Sequence, residues 1–115
     1  MKTTITIPFP PSVNSIWRSV KGRNILSKKY REWRTLASQE IMIQRPKAIE
    51  SKVIVHILLD RPDKRKRDID NYIKAPLDTL VHMDLIEDDS LVETLTIGWS
   101  GKTGKTACIS FWSAQ

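Results

Sequence analysis

The chain has 115 residues, of which 40% are hydrophobic and 28% are charged, and its net charge is +6. This length and composition predict one globular domain over residues 1–115 and argue against a fibrous or disordered chain. No apolar run approaches the length of a membrane span, no signal-peptide pattern is present, and the single cysteine cannot form an intramolecular disulfide. We therefore expect a cytoplasmic protein, and its excess of basic groups favours a polyanionic partner.

The first quarter of the chain predicts a strand and a loop. Residues 2–7 alternate threonine and isoleucine, as in a strand with one apolar face. A proline-rich segment ends this strand, and residues 8–24 are interpreted as a long ordered loop. Within that loop, Trp17 is either a small core anchor or a stacking partner of Arg18.

A helix is expected next, with Ser27 as its N-cap and an end near residue 43. Apolar side chains recur along it at helical spacing and predict a buried stripe of Tyr30, Trp33, Leu36, Ala37 and Ile41. Lysine and arginine side chains lie on its other faces. They are either contacts to DNA or the solvated flank of the helix.

The middle of the chain predicts a strand and a second helix. Residues 52–59 are almost continuously apolar and β-branched, as in a strand covered on both faces, and His56 within it is expected to be structural. Residues 60–67 are the loop that leaves this strand. A helix should then run from about residue 69 to residue 83, with Pro76 delaying or kinking it near its first turn.

The last part of the chain predicts an acidic loop followed by two strands. These strands, 91–99 and 105–112, are interpreted as a hairpin with a glycine-bearing turn. Trp99 and Trp112 are expected to pack as a pair on that hairpin. The whole pattern predicts an α+β fold, in which two α-helices pack on a small mixed sheet of about four strands.

The densest charge pattern lies between Arg61 and Lys74. Five basic side chains run into Asp68 and Asp70, and Asn71 follows at once. A basic run holds a polyanion, whereas aspartates suit a hard cation such as Mg²⁺, which completes its shell with water and phosphate oxygens. The pattern therefore predicts a metal-dependent enzyme that acts on a phosphodiester.

A second acidic pair, Asp88-Asp89, follows after one helix length. A helix between the two pairs would return the chain so that Asp68, Asp70 and Asp89 converge, and such carboxylates repel one another unless a cation lies between them. A metal ion held there would polarise a phosphoryl oxygen and lower the pKa of an attacking water. Lys74 would offset the developing negative charge.

Simpler explanations compete with this one. Either aspartate of the first pair is able to cap the second helix, and Lys74 is spaced for an ordinary ion pair with Asp70 or Asp78. A non-catalytic DNA-binding module explains the basic surface, and a structural calcium site would use the same aspartates without the graded spacing of a Ca²⁺ loop. A nuclease of the Pro-Asp…Glu-x-Lys type is rejected because residues 50–52 precede residues 62–63.

The order of basic run, Asp68-Ile-Asp70-Asn71, Lys74 and Asp88-Asp89 resembles the RusA family of Holliday junction resolvases, which phages and prophages encode. The opening strand and its Pro-Phe-Pro-Pro-Ser turn support the resemblance. It implies a homodimeric endodeoxyribonuclease of DNA recombination and repair, acting in a bacterial or phage-infected cell. The enzyme would cut four-way junctions symmetrically with Mg²⁺ or Mn²⁺ and without a small-molecule cofactor.

The resemblance also assigns roles to residues. The positions that match the metal-binding and catalytic aspartates are Asp68, Asp70 and Asp89. The catalytic lysine matches Lys74, with Asn71 and Asp88 at supporting positions. The basic side chains expected to bind backbone phosphates are Lys64, Arg65, Lys66, Arg67, Arg18, Arg23, Lys28 and Lys29. A two-fold symmetric dimer suits paired incision of branched DNA. The alternative is a degenerate member that binds branched DNA without cutting it.

Overall fold

The alternating threonines and isoleucines of residues 2–7 form the first strand of an α+β fold, which confirms the predicted class. This computed structural model describes residues 1–115. Its strands are β1 (Lys2–Pro8), β2 (Trp17–Val20), β3 (Arg23–Leu26), β4 (Val53–Arg61), β5 (Val92–Thr103) and β6 (Thr106–Ser113). Its α-helices are α1 (Lys28–Gln44) and α2 (Lys74–His82), and short 3-10 turns span Val13–Ser15, Ile69–Tyr72 and Asp89–Leu91. Neither helix has the length and apolarity needed to cross a membrane.

Four strands form one mixed sheet in the order β1-β6-β4-β5. Strand β6 is antiparallel to both of its neighbours, whereas β5 runs parallel to β4. A parallel pair requires a crossover connection, and residues 62–91, which include α2, provide it. The predicted hairpin of the last two strands is therefore wrong, because β4 lies between them.

The chain reaches β6 by passing over the end of β4. The Gly104 amide donates to the carbonyl of Arg61 at 3.0 Å. A Cβ atom at Gly104 would lie 2.7 Å from a carboxylate oxygen of Asp60, so a side chain would collide with Asp60 here. The same Asp60 carboxylate accepts hydrogen bonds from the hydroxyls of Ser100 at 2.6 Å and Thr106 at 3.2 Å. These contacts hold the crossing segment against β4.

The crossing also separates the two tryptophans that were expected to pack together. Trp99 lies on the core side of the sheet, where its ring stacks on Phe9 at 6.4 Å between centroids. Trp112 lies on the opposite side, edge-on to His56 at 4.7 Å. The expected Trp99–Trp112 pair is therefore wrong.

One face of the sheet forms the core with the helices. Ser27 caps α1 as predicted, since its hydroxyl accepts from the Tyr30 amide at 3.0 Å. The residues of α1 that are buried in the core are Tyr30, Trp33, Ala37 and Ile41. Leu36 was expected in this stripe but is 55% exposed, because it lies at the outer edge of the helix. The sheet contributes alternate residues of its strands to the same core.

The other face of the sheet is open. Strand β4 was expected to be covered on both faces, but its burial alternates: Val55, Ile57 and Leu59 are buried, and Leu58 is 50% exposed. The helices pack on the other side, so the outward residues of β4 have no layer above them. His56 is accordingly exposed rather than buried in the core.

Pro76 determines where α2 begins. A proline lacks the N–H of a helix interior, and its ring collides with the carbonyl four residues earlier, so it is tolerated only in a first turn. The helix accordingly starts at Lys74, and the preceding Ile69–Tyr72 segment forms a 3-10 turn. The expected delay is confirmed, whereas a continuous helix from residue 69 is wrong.

The loop predicted at residues 8–24 contains a missed hairpin. Strands β2 and β3 pair in register from Trp17–Leu26 to Val20–Arg23. The two turn residues, Lys21 and Gly22, have φ angles of 51° and 75°. Positive φ at both central residues is what a two-residue type I′ hairpin turn requires. Trp17 is 50% exposed and is not a core anchor. Its neighbour Ile16 is buried instead.

Candidate functional site

The loop that leaves β4 is organised around Asp63. The Arg67 guanidinium binds both oxygens of this carboxylate, at 2.6 and 3.1 Å, and lies over the Phe9 ring at 5.5 Å. The Arg65 amide donates to the same carboxylate at 2.8 Å. These hydrogen bonds, led by the one from Arg67, hold the pKa of Asp63 well below its ordinary range. The loop is thus folded onto an internal ion pair.

Arg67 therefore differs from the other basic residues predicted to bind DNA. Its side chain is only 11% exposed and is committed to Asp63, so it supports the loop rather than extending toward a ligand. Lys64, Arg65 and Lys66 are exposed on the same loop.

The remaining predicted DNA contacts come from two other elements. Arg18 and Arg23 are exposed on the β2–β3 hairpin. Lys28 and Lys29 occupy the first turn of α1, where Lys28 lies 3.8 Å from Glu32. Lys29 instead lines one groove together with Arg65 and Lys66, which are 36 and 37 positions further along the chain. The fold thus brings a basic residue of α1 next to two basic residues of the loop that follows β4.

Asp68 and Asp70 follow this loop directly. Both are exposed, and neither side chain makes an ion pair or hydrogen bond within the chain. Asp68 occupies the N-cap position of the Ile69–Tyr72 turn without capping it, since only its backbone carbonyl accepts, from the Asn71 amide at 3.1 Å. Helix capping therefore does not account for Asp68, and both carboxylates are free to bind a ligand.

Lys74 begins α2 and forms the ion pair that its spacing allowed. Its ammonium group lies 3.1 Å from Asp78, one helical turn along. The hydrogen bond to Asp78 raises the pKa of Lys74, and the negative charge of Asp89 contributes in the same direction. Lys74 thus carries a positive charge that is stabilised by the ion pair with Asp78 and by the negative charge of Asp89.

Asp88 and Asp89 have different environments. The Asp88 carboxylate accepts from the Ser90 amide at 3.0 Å and caps the Asp89–Leu91 turn. Hydrogen bonds from Ser90 lower the pKa of Asp88. The Asp89 side chain is exposed, with no partner in the chain. The supporting position thus shapes the turn that presents Asp89.

Sequence reasoning missed the cavity beside Asp89. It has a volume of about 330 Å³ and is lined by Asp89, Asp78, Tyr30 and Arg34, among others. Tyr30 is 1% exposed, and its buried hydroxyl has no hydrogen-bond partner. Burial, followed by the charge of Asp78, raises the pKa of Tyr30. A buried tyrosine hydroxyl normally has a hydrogen-bond partner. The tyrosine among the predicted core residues of α1 was therefore the signal in the sequence that a polar group lies at this point of the core.

The predicted metal ligands fit a hard cation chemically but are not gathered around one point. Asp68, Asp70 and Asp89 offer only carboxylate oxygens, the ligands that Mg²⁺ prefers, and none of the three is engaged by another side chain. No three carboxylate, imidazole or thiolate groups lie close enough together to hold an ion. The expected convergence of these three aspartates is not present in the structure, and metal binding stays a prediction.

Comparison with known proteins places these features in a family. The family described as Endodeoxyribonuclease RusA matches residues 8–108. A crossover junction endodeoxyribonuclease of Enterobacteria phage HK97 is 32% identical over 92 residues, covering 79% of this chain and 77% of the relative. Relatives of the same name from Shigella sonnei strain Ss046 and Escherichia coli K12 are 34% and 33% identical, covering 77% of this chain and 75% of each relative. This chain belongs to the RusA family of endodeoxyribonucleases.

Proposed function

We propose that this protein is a metal-dependent, structure-selective endodeoxyribonuclease that resolves four-way DNA junctions by paired, symmetric hydrolysis. One observation carries the proposal: a cationic loop ends in two exposed carboxylates, Asp68 and Asp70, that no side chain engages. The names of the relatives, crossover junction endodeoxyribonucleases, support the same reaction. The reaction would belong to DNA recombination and repair in the cytoplasm.

The chain's own groups suit this reaction. Lys64, Arg65 and Lys66 would bind backbone phosphates and bring a phosphodiester to the adjoining carboxylates. Asp68, Asp70 and Asp89 would hold Mg²⁺ or Mn²⁺, which when bound supplies Lewis-acid activation of the phosphate and a more acidic water.

Lys74 would act on the charge that develops during the cut. Its ion pair with Asp78 keeps the ammonium group protonated and oriented at the first turn of α2. A fixed positive charge near the leaving oxygen stabilises the transition state more than the ground state. Asp88 would contribute indirectly, because it caps the turn that carries Asp89.

Paired incision further requires two sites related by two-fold symmetry, so we propose a homodimer. The open face of the sheet suits such a contact. Strands β4, β5 and β6 present there nine residues without a formal charge, and the one carboxylate in line with them, Asp60, lies at the end of β4, where Ser100 and Thr106 bind it. The nine residues are Ile54, His56, Leu58, Thr94, Thr96, Gly98, Cys108, Ser110 and Trp112. In a chain with 28% charged residues, this uncharged patch around the half-exposed Leu58 is suited to burial against a copy of itself.

A charge-insertion pair tests this interface. Leu58→Lys should convert the dimer to a monomer in light scattering after size exclusion, because it buries an unpaired charge. Ile43→Lys, at a 76% exposed site on α1, is the matched control and should leave a dimer. The reverse result would place the interface on α1.

The second candidate is a module that binds branched DNA without cutting it. The separation of the three aspartates favours it, since they do not form a ligand cluster as they stand. The deciding experiment uses a labelled four-way junction and a linear duplex of the same sequence, each with Mg²⁺ and with EDTA. Metal-dependent nicking of the junction alone supports the nuclease. Tight junction binding with no cutting in Mg²⁺ or Mn²⁺ supports the binding module.

A further inference from the structure

A groove separate from the aspartate sites lies beside the basic loop. Its volume is about 520 Å³, within the range of about 300–1,000 Å³ typical of small-ligand sites. Its walls come from residues 9–15, from the start of α1 and from residues 62–67. Arg67 and Tyr72 line it, and they flank the two aspartates: Arg67 precedes Asp68, and Tyr72 ends the turn that contains Asp70.

The apolar wall of this groove is fixed before any ligand arrives. The Phe9 ring packs against Tyr72 at 5.2 Å, and the Trp33 indole donates to the Pro8 carbonyl at 3.1 Å. Pro10 and Pro11, which also line the groove, are buried. Rings and prolines held in this way lose little freedom on binding, so the wall is preorganised for a flat apolar group.

The rim of the groove is cationic. Four basic residues line it, Lys29, Arg65, Lys66 and Arg67, against the single acid Asp63. The groove thus has a formal charge of +3 (four minus one), half of the +6 of the whole chain. Because Asp63 is already bound by Arg67 and Arg65, the exposed ammonium groups of Lys29 and Lys66 have no carboxylate partner in the groove.

We propose that this groove binds a single nucleotide displaced from the stack at the branch point, next to the phosphodiester to be cut. The inference rests on the proposed function. The base would lie against the Phe9 and Trp33 wall, and its phosphate would be held by Lys29 and Lys66. An apolar groove with a cationic rim fits a nucleotide, since the base meets the apolar wall and the phosphate meets the rim, whereas the backbone of an intact duplex would contact only the rim. Displacing one base is least costly where stacking is already interrupted, as at a branch.

The groove also offers groups that distinguish bases. The hydroxyls of Ser12 and Ser15 lie in its lining, and the Ser15 hydroxyl makes no bond within the chain. A hydroxyl both donates and accepts, so it is able to bind the edge of an unpaired base. The nucleotide held here would then set any sequence preference of cleavage.

A matched pair of double variants tests the proposal. Lys29→Ala with Lys66→Ala removes the two groove ammoniums, whereas Lys47→Ala with Lys102→Ala removes the same charge from two exposed lysines outside the groove and outside the predicted DNA contacts. Each is titrated in EDTA to saturation with four-way junctions that carry 2-aminopurine at successive positions around the branch. We expect a fluorescence change at one position with the unmodified protein and with the Lys47/Lys102 control, and its loss in the Lys29/Lys66 variant.

The proposal is overturned if no position responds or if both variants lose the response equally. Because the measurement is made without metal, it is independent of cutting. Cleavage in Mg²⁺ without a 2-aminopurine response would exclude the nucleotide site in the groove and leave the proposed nuclease function standing. A response at one position without any cleavage defeats the nuclease and leaves the groove as a nucleotide site.

Discussion

Asp63 and the pair Asp68 and Asp70 lie in one short segment beside the same basic run, yet their surroundings differ. Asp63 accepts four hydrogen bonds from Arg65 and Arg67, and its pKa is strongly lowered. Asp68 and Asp70 accept none through their side chains, although cations precede them directly. The protein thus uses one carboxylate to fold the loop and leaves two uncompensated. Carboxylates left unpaired beside available cations indicate a ligand, not stability, as their purpose.

The sharpest test of this difference is Asp70→Asn. Loss of one site carboxylate should reduce single-turnover junction cleavage by a factor on the order of 10²–10³ or more. Stability should change by less than about 0.5 kcal/mol, since Asp70 has no partner in the folded chain. Junction binding in EDTA should hold or tighten because a repulsive charge is removed.

The control for this change is Asp84→Asn, which removes the same charge from an exposed residue that has a φ of 55°. Asparagine tolerates that conformation, so the fold should be kept and cleavage should continue. Equal cleavage by Asp70→Asn and Asp84→Asn would contradict the assigned role of Asp70.

The basic residues are expected to differ in the same way: some bind DNA, and Arg67 stabilises the loop. Lys64→Ala with Lys66→Ala removes two free cations, so the slope of log affinity against log salt should fall by about 1.8. Arg67→Ala should leave the slope unchanged but lower the melting temperature, because that guanidinium binds Asp63. Fluorescence anisotropy at several salt concentrations, with thermal melts, separates the two. A reduced slope for Arg67→Ala would show that this residue reaches DNA.

Asp63→Asn should have a smaller, pH-dependent effect. Because the pKa of Asp63 is lowered in the folded state, Asp63 adds stability above its unfolded pKa of about 3.9, and this contribution disappears as pH falls toward the folded value. The native chain should therefore be more stable than the variant at pH 5–7, and the two should approach each other below about pH 4. Urea unfolding across this range measures the difference. A constant difference down to pH 2 would contradict the ion pair's role.

The smallest expected effect is that of Tyr30→Phe. Removing a buried hydroxyl that has no partner should leave stability unchanged or raise it by up to about 1 kcal/mol. Cleavage should nevertheless fall, because Tyr30 lines the cavity that contains Asp78 and Asp89. Denaturant unfolding and cleavage assays on one preparation measure both. A clear loss of stability would mean that Tyr30 has a partner in solution.

Features set by neighbouring residues were predictable from the sequence. Ser27 caps α1 and Pro76 delays α2 because both act on the backbone within one helical turn. The assignment of Asp68, Asp70 and Asp89 as metal ligands came from a motif and its resemblance to a family, and it stays a prediction.

Features set by distant contacts were not predictable in this way. The apolar run of β4 does not show which of its faces the helices cover. The sequence therefore could not predict that Leu58 is half exposed and not buried. Pairing of β5 with β4, and not with β6, depends on a crossover that no local pattern indicates. That Arg67 binds Asp63 and not Asp70 was visible only in the folded loop, since Asp70 is the nearer of the two in sequence.

The position of β6 between β1 and β4 has a consequence for how the molecule is made. Two of the sheet's three strand pairings involve residues 106–113, which are synthesised after every other strand. Until then β4 is able to pair with β5 but keeps one edge exposed, and β1 has no partner in the sheet. The sheet would therefore be completed in one late step, when the last strand enters between β1 and β4. A tag or truncation that hinders this strand should reduce the yield of folded protein more than a comparable change at β5, the edge strand.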